Sequence, residues 1–301
     1  MLFLLLLLSL AFSVPPLYGR LQVINNKLCD ASGNPIILRG VGFAWHNWWP
    51  EFYTSAKVGE IKTVFHANVV RAAIAYDKEG GLQSNPTRAY DLLYAVIDGA
   101  IAQGIYVIVD WQVFQIFESA AVDFFTKVAT KYKGVPNILY EILNEPESDG
   151  WPAIKRYALT VIKVIRAIDP ENPVIIVGTP SWDQYIEQAA ADPITEYKNI
   201  LYSLHIYVGT HPDSYRTNAR NSLSKIGIFA TEMGAMNADG DGPLNREKFN
   251  QWISFYEEVG ISYLAWALQT GSISCGLTNS VTISDLTEWG KLFRDTIYNK
   301  Q

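Results

Sequence analysis

The chain has 301 residues, is 49% hydrophobic and 13% aromatic, and carries a formal charge of -6. An acidic balance without any Lys/Arg cluster excludes nucleic acid and anionic membrane surfaces as expected partners. The length suffices for one large core, and the 9 tryptophans exceed what that core needs, so some indoles are expected on the surface or along a cleft.

The first 13 residues are an apolar leader, with Ala11 and Ser13 spaced for cleavage before Val14. They predict a secretory signal and an extracellular protein, although no Lys or Arg precedes Arg20. The run is shorter than the ~20 apolar residues that span a bilayer, and no later run is long enough either. Residues 14–301 are expected to form a single domain. Within them 21–35, with a turn at 30–35, reads as a small hairpin.

Eight apolar, β-branched runs follow, at 36–41, 68–74, 105–110, 138–144, 174–178, 200–207, 226–232 and 261–268. They are continuous rather than alternating, as parallel strands covered on both faces are. Helical spacing of apolar residues fills 87–103, stopped by Gly104, and 119–133, stopped by Gly134. A third helix is expected over 151–168, with Pro152 in its first turn, and a last one over 285–299, capped by Ser284. Eight strand–helix repeats predict an α/β protein, a (β/α)8 TIM barrel whose bottom the hairpin closes.

In such a barrel the working groups come from the carboxyl ends of the strands. Read in order, those ends supply Trp45, His46, Asn47, Trp48 and Trp49, then Arg71 and Tyr76, then Asp110, Trp111 and Gln112. After them come Asn144 and Glu145, Trp182, His205 and Tyr207, Glu232, and finally Trp266 and Gln269. Two strand-end glutamates, Glu145 and Glu232, are the minimal machinery for breaking a glycosidic bond if they converge on one pocket.

The motifs Leu38-Arg39-Gly40, Val70-Arg71-Ala72-Ala73, Asp110-Trp111, Glu141-Ile142-Leu143-Asn144-Glu145-Pro146, Val177-Gly178-Thr179-Pro180-Ser181-Trp182, Leu204-His205-Ile206-Tyr207, Thr231-Glu232 and Trp266-Ala267-Leu268 run in this order along the chain. As an ordered set they resemble glycoside hydrolase family 5, particularly its cellulase (endo-β-1,4-glucanase) branch. The segment from Trp45 to Trp48 looks closer to animal and nematode members. The resemblance implies a retaining mechanism with Glu145 as acid/base and Glu232 as nucleophile. It further implies that Asn144 holds the sugar 2-hydroxyl, that Arg71 and Tyr207 pair with Glu232, and that His205 supports Glu145. Trp266 would lie under the sugar at the cleavage point, with Trp48 and Trp182 stacking sugars in neighbouring subsites.

Trp45, Gln112 and Gln269 complete the expected sugar-binding set, with core packing the alternative for Trp45. The chain departs from the family where Gln112 replaces a histidine, where Met233 replaces a tryptophan, at Ala44, and after Trp266, where a lysine and a glutamate are missing. These departures leave the polymer open: β-1,4-glucan, or a hemicellulose such as xylan or glucomannan.

Elementary electrostatics adds further expectations. An arginine beside Glu232 should lower its pKa. Glu141 reads as an ion-pair partner near the barrel core, Asp110 as a residue just behind the site, and Arg39 as the neutraliser of a buried carboxylate. No histidine spacing suits a metal, and carboxyls with water suffice for glycoside cleavage, so neither metal nor cofactor is expected. Cys29 and Cys275 fall at opposite ends of the barrel and should be free thiols. The expected protein is a secreted, monomeric endo-β-1,4-glycanase whose partner is a polysaccharide. The reading from another class is a carbohydrate-binding protein on a barrel that has lost catalysis.

Overall fold

A computed structural model describes residues 14–300; the leader expected over 1–13 falls outside them. Ahead of the barrel, β1 (Gln22–Ile24) and β2 (Lys27–Cys29) pair antiparallel. Their turn is Asn25-Asn26, both left-handed at φ 51° and 61°, and not the 30–35 segment that the sequence suggested. Asparagine tolerates this region, and two such residues give the turn that matches strand twist. Residues 30–35 make a separate turn, in which Asp30 Oδ1 accepts from the Ser32 and Asn34 N–H groups at 2.8 Å each.

The barrel strands are β3 (Arg39–Phe43), β4 (Val69–Ala75), β5 (Tyr106–Gln112), β6 (Ile138–Glu141), β7 (Ile175–Val177), β8 (Ile200–Tyr207), β9 (Ile228–Gly234) and β10 (Ser262–Leu268). They pair in parallel, in sequence order, and β10 closes on β3. The helices between them are α1 (Ser55–Phe65), α2 (Pro86–Gln103), α3 (Glu118–Lys131), α4 (Trp151–Ile168), the single turn α5 (Pro180–Asp183), α6 (Ile186–Ala191), α7 (Ser214–Ser222) and α8 (Arg246–Val259), with α9 (Glu288–Tyr298) last. The molecule is a (β/α)8 TIM barrel.

Helices α1, α5, α6, α7 and α8 lie outside the four helices that the sequence predicts. Helix α8 buries Phe249, Trp252, Ile253 and Tyr256, an i, i+3, i+4, i+7 stripe. The last helix starts later than expected: Thr287, not Ser284, caps it, its hydroxyl accepting from Gly290 N–H at 3.0 Å.

Along each strand, alternate residues face the interior. At the bottom these are apolar. Leu21 and Leu28 of the hairpin segment pack with Val69, Tyr106, Ile108 and Leu139, so the hairpin does plug that end. Higher up the interior turns polar, with Arg71, Asp110, Glu141, Ser203 and His205 all fully buried.

Three register shifts break the regular ladder, two of them from one surplus residue on β9 that shows against both β8 and β10. Ser203 pairs with Phe229 but His205 with Glu232, so β9 carries one residue more than β8 across that interval. Ala265 pairs with Val41 but Leu268 with Phe43, which gives β10 the same surplus opposite β3. A bulge of this kind re-aims side chains. On β9 it lets the neighbours Thr231 and Glu232 both reach interior partners.

Among the described residues no helix is long and apolar enough to cross a membrane. Arg39 forms a two-bond fork with Glu257 at 2.7 and 2.6 Å. Cys29 and Cys275 are both buried and unbridged. Burial raises both thiols, Cys275 to about 12, which suppresses the reactive thiolate. Neither is expected to react with Ellman's reagent in the native protein, and both should appear in full on addition of guanidinium. Fast labelling of native protein would contradict this.

Candidate active site

Arg71, on β4, is wholly buried, and a guanidinium there needs compensation on every side. Its Nε donates to Glu141 Oε2 at 2.5 Å, Nη1 to Glu232 Oε1 at 2.7 Å and Nη2 to Asn144 Oδ1 at 2.8 Å. Asp110 Oδ2 lies 3.1 Å from Nη2 as a further ion-pair partner. Four strand ends are thereby tied to one cation. Tyr207 donates its hydroxyl to Glu232 Oε2 at 3.0 Å, so both oxygens of Glu232 are engaged.

The second centre is His205 on β8. Its Nδ1 lies 2.8 Å from Glu145 Oε1, and its Nε2 lies 2.9 Å from Thr231 Oγ1. Thr231 in turn donates to Glu141 Oε1 at 2.7 Å, with Ser203 Oγ 2.6 Å from the same threonine oxygen. A continuous polar chain thus runs from Glu145 through His205, Thr231, Glu141 and Arg71 to Glu232. An oxygen of Glu145 and one of Glu232 lie within 4.8 Å of each other, with His205 Nδ1 in the same group.

Four buried carboxyls near Arg71 and His205, those of Asp110, Glu141, Asp183 and Glu232, titrate unequally. Burial pushes Glu141 up, but Arg71 and His205 outweigh it and hold the group at about 2. Asp110 goes the other way, because burial dominates over Arg71 and raises it well above the carboxylate range. Asp183 is raised by burial to about 7 in spite of His205. Burial opposes a charge on His205, yet Glu232 and Asp183, with the bonds to Glu141 and Glu145, raise it well above the ordinary imidazole value.

Glu232 departs from expectation. Burial raises it, and the pull of His205 and Arg71 does not reverse the shift. The reason is that Arg71 is divided among Glu141, Asp110 and Glu232, while Glu145 and Glu141 repel a charge on Glu232.

Two clefts meet over this network and share Glu145 and Tyr207. One, of about 400 Å³, has walls from Trp45, Trp48, Gln112, Trp266 and Gln269 as well as Glu232. The other, of about 410 Å³, runs past Trp182, His211 and Tyr215. Trp48 is 55% exposed and stacks on the buried Trp45 at 4.9 Å, so Trp45 both packs and lines the cleft. Trp182 is 40% exposed on the opposite side, which leaves a flat apolar face at either end. Trp266 lies beneath, 5.7 Å from the Arg71 guanidinium. Gln112 is buried with its Oε1 unpartnered, and Gln269 Nε2 reaches Cys275 Sγ at 3.5 Å.

The structure therefore brings all twelve expected site residues to one mouth or directly behind it. Of the other strand-end residues, Asp110 lies behind the site against Arg71, but Trp111 and His46 do not join it. Trp111 faces outward and packs at 5.0 Å from both Tyr76 and Phe124. His46 is buried, its Nδ1 accepting from Ala75 N–H at 3.1 Å, and burial lowers it to about 4.

Sequence reading missed Thr231 and Ser203 as links, Asp183 behind Glu145, and the cleft walls Phe114 and Tyr215, whereas Trp49, read at the end of the first strand, does line the cleft. Ser203 and Asp183 had no signal in the sequence, and regular strand alternation would set Thr231 and Glu232 on opposite faces. Two triads, Glu141/Asp183/His205 and Glu145/His205/Glu232, offer donors close enough for a metal. Both rely on His205, whose two ring nitrogens are already bonded, so an ion would have to displace the network.

A closed (β/α)8 barrel with an aromatic cleft over two facing glutamates is a barrel of the paired-carboxylate class. The chain belongs to the cellulase family, glycosyl hydrolase family 5, whose pattern matches residues 29–272. It is 40% identical to endoglucanase Z of Dickeya dadantii, over 86% of this chain and 62% of that one. It is 36% identical to an endoglucanase of Clostridium saccharobutylicum, over 93% of this chain and 65% of that one. The chain thus spans just under two thirds of the length of these curated relatives.

The catalytic domain of Thermobifida fusca endoglucanase Cel5A superposes with a TM-score of 0.87 at 31% identity, covering 93% of this chain and 98% of that one. A variant of that domain has been solved in complex with cellotetraose. These relatives are bacterial and give no support to the animal and nematode affinity expected from the Trp45 to Trp48 segment.

Proposed function

We propose that this protein is a secreted, retaining endo-β-1,4-glucanase acting on cellulose-type chains. The observation that carries the reading is the facing pair, with oxygens of Glu145 and Glu232 within 4.8 Å. Retaining glycosidases hold their carboxyls ~5–5.5 Å apart, and inverting ones ~6.5–9.5 Å to admit a water. The endoglucanase relatives and the leader over 1–13 support the substrate class and secretion respectively. A cleft open past an aromatic face at both ends suits attack within a chain.

Glu145 protonates the bridging oxygen and the C1–O bond breaks. Glu232, held at both oxygens by Arg71 and Tyr207, closes on C1 to form a glycosyl ester. Bonding of Glu145 Oε1 to His205 leaves Oε2 for the proton. Esterification removes the charge from Glu232. A water then enters, gives its proton to Glu145 and attacks C1, and the ester bond breaks with the original configuration restored. Two carboxyls and water are enough, so no cofactor is invoked and a single chain suffices.

The test is a panel of carboxymethyl-cellulose, xylan and glucomannan, with reducing ends counted and the first product anomer read by proton NMR. Release from carboxymethyl-cellulose with β-configured product is the expected result. α-Product would mean inversion and sink the mechanism. Greater release from xylan or glucomannan would favour a second reading, a hemicellulase, which the uncharged amides of Gln112 and Gln269 along the cleft support. Binding without release, indistinguishable from Glu145→Gln, would make the protein a binder.

A further inference from the structure

Asp183 is completely buried beside the catalytic pair, yet the mechanism above does not use it. It ends α5, whose residues Ser181, Trp182 and Asp183 are all left-handed, at φ 60°, 56° and 59°. Three consecutive non-glycine residues in this region cost conformational energy and persist only where other contacts hold them.

Those contacts converge on the Asp183 carboxylate. Its Oδ1 accepts from the Thr179 N–H at the start of the turn. Its Oδ2 accepts from the backbone N–H of Glu145 at 3.2 Å. Trp182 N–H donates back to Pro146 O at 3.2 Å, closing the link between the two strand ends. Glu145 itself has φ 21°, an unusual backbone for a glutamate. Gly178 permits the approach, because a Cβ there would collide with the Leu143 carbonyl and press on Asp183.

We infer that Asp183 is a positioning residue for departure of the leaving sugar: one carboxylate fixes both the Glu145 backbone that delivers the proton and the left-handed turn that stands Trp182 over the outgoing chain. The inference rests on Glu145 being the acid/base of the proposed glucanase. It does not place Asp183 in contact with substrate. It assigns to the segment after β7 a role in proton delivery as well as in sugar stacking.

A structural residue and a positioning residue differ in which substrates suffer. Cleavage of an unactivated glycosidic bond needs the proton from Glu145, whereas departure of a dinitrophenolate does not. The value kcat/KM reads only the first displacement, so it isolates that step. Asp183→Asn keeps the size but turns an NH2 group toward one of the two N–H donors. Its kcat/KM on cellotetraose should fall about 10²-fold, the cost of misplacing a reacting group by about 1 Å. Its kcat/KM on 2,4-dinitrophenyl β-cellobioside should fall less than about threefold.

Equal falls on both substrates, or no fall on either, would overturn the inference. If Asp183→Asn does not melt cooperatively, Asp183→Ser, which keeps one acceptor, is put through the same two assays and should show the same selectivity. Failure of both variants to fold would make Asp183 structural and overturn it as well. Wild-type protein inactive on both substrates would instead bring down the glucanase reading itself, an outcome distinct from all of these.

Discussion

Glu232→Ala is expected to lower kcat on cello-oligosaccharides by roughly 10⁴–10⁶-fold, as removal of a catalytic nucleophile does elsewhere. The fold should survive. Burial raises the Glu232 carboxyl, so its charge strains the folded state, and deleting it removes a buried anion as well as two hydrogen bonds. Added azide then identifies the role. An anion small enough for the vacated space should restore turnover of an activated aryl cellobioside and yield the α-cellobiosyl azide. With Glu145→Ala the same addition should yield the β-azide, because the enzyme ester still forms and azide attacks in place of water. If azide leaves Glu232→Ala inert, or the two products are exchanged, the assignment of the glutamates is wrong.

Arg71→Leu should be the most damaging change to stability among the polar interior residues. It strips the shared cation from Glu141, Asp110 and Glu232 and leaves Asn144 Oδ1 without its donor. Breaking a buried ion pair from one side costs about 3–5 kcal/mol, and activity should vanish with it. The loss has a pH signature. Glu141 titrates at about 2 in the fold against an ordinary 4.5, so its pairing contributes stability above 4.5 that is lost as pH falls toward 2. Denaturation of wild type and Arg71→Leu at a series of pH values should show a wide gap at neutral pH that closes over that window. A gap constant from pH 7 to pH 2 would show that the pairing with Glu141 is not what Arg71 supplies.

Much of the barrel is legible in the chain because parallel strands covered on both faces need β-branched runs, and eight such runs leave little choice of architecture. Glu145 is legible through the proline that follows it and Glu232 through its place at a run's end. The hairpin turn was misplaced because Asp30-Ala31-Ser32-Gly33 carries stronger turn chemistry than Asn25-Asn26, and composition does not say which turn joins strands.

Trp111 was readable in principle, since Asp110, Trp111 and Gln112 alternate and only the first and third share the interior face. Thr231 was not, because without the extra residue on β9 it and Glu232 would face opposite ways. The shift of Glu232 was missed for a different reason. One arginine beside one glutamate lowers its pKa, but the sequence does not reveal that three carboxyls share that arginine.

The surplus residue in β9 carries a lesson for anyone redesigning this scaffold. Trimming the strand back to textless regularity, one residue for each of β8, would present either Thr231 or Glu232 to the interior but never both. Such a protein could keep every layer of its hydrophobic packing and still be a mute shell. In this barrel the irregularity is the place where architecture and chemistry are joined, and it is the feature to preserve when the rest is idealised.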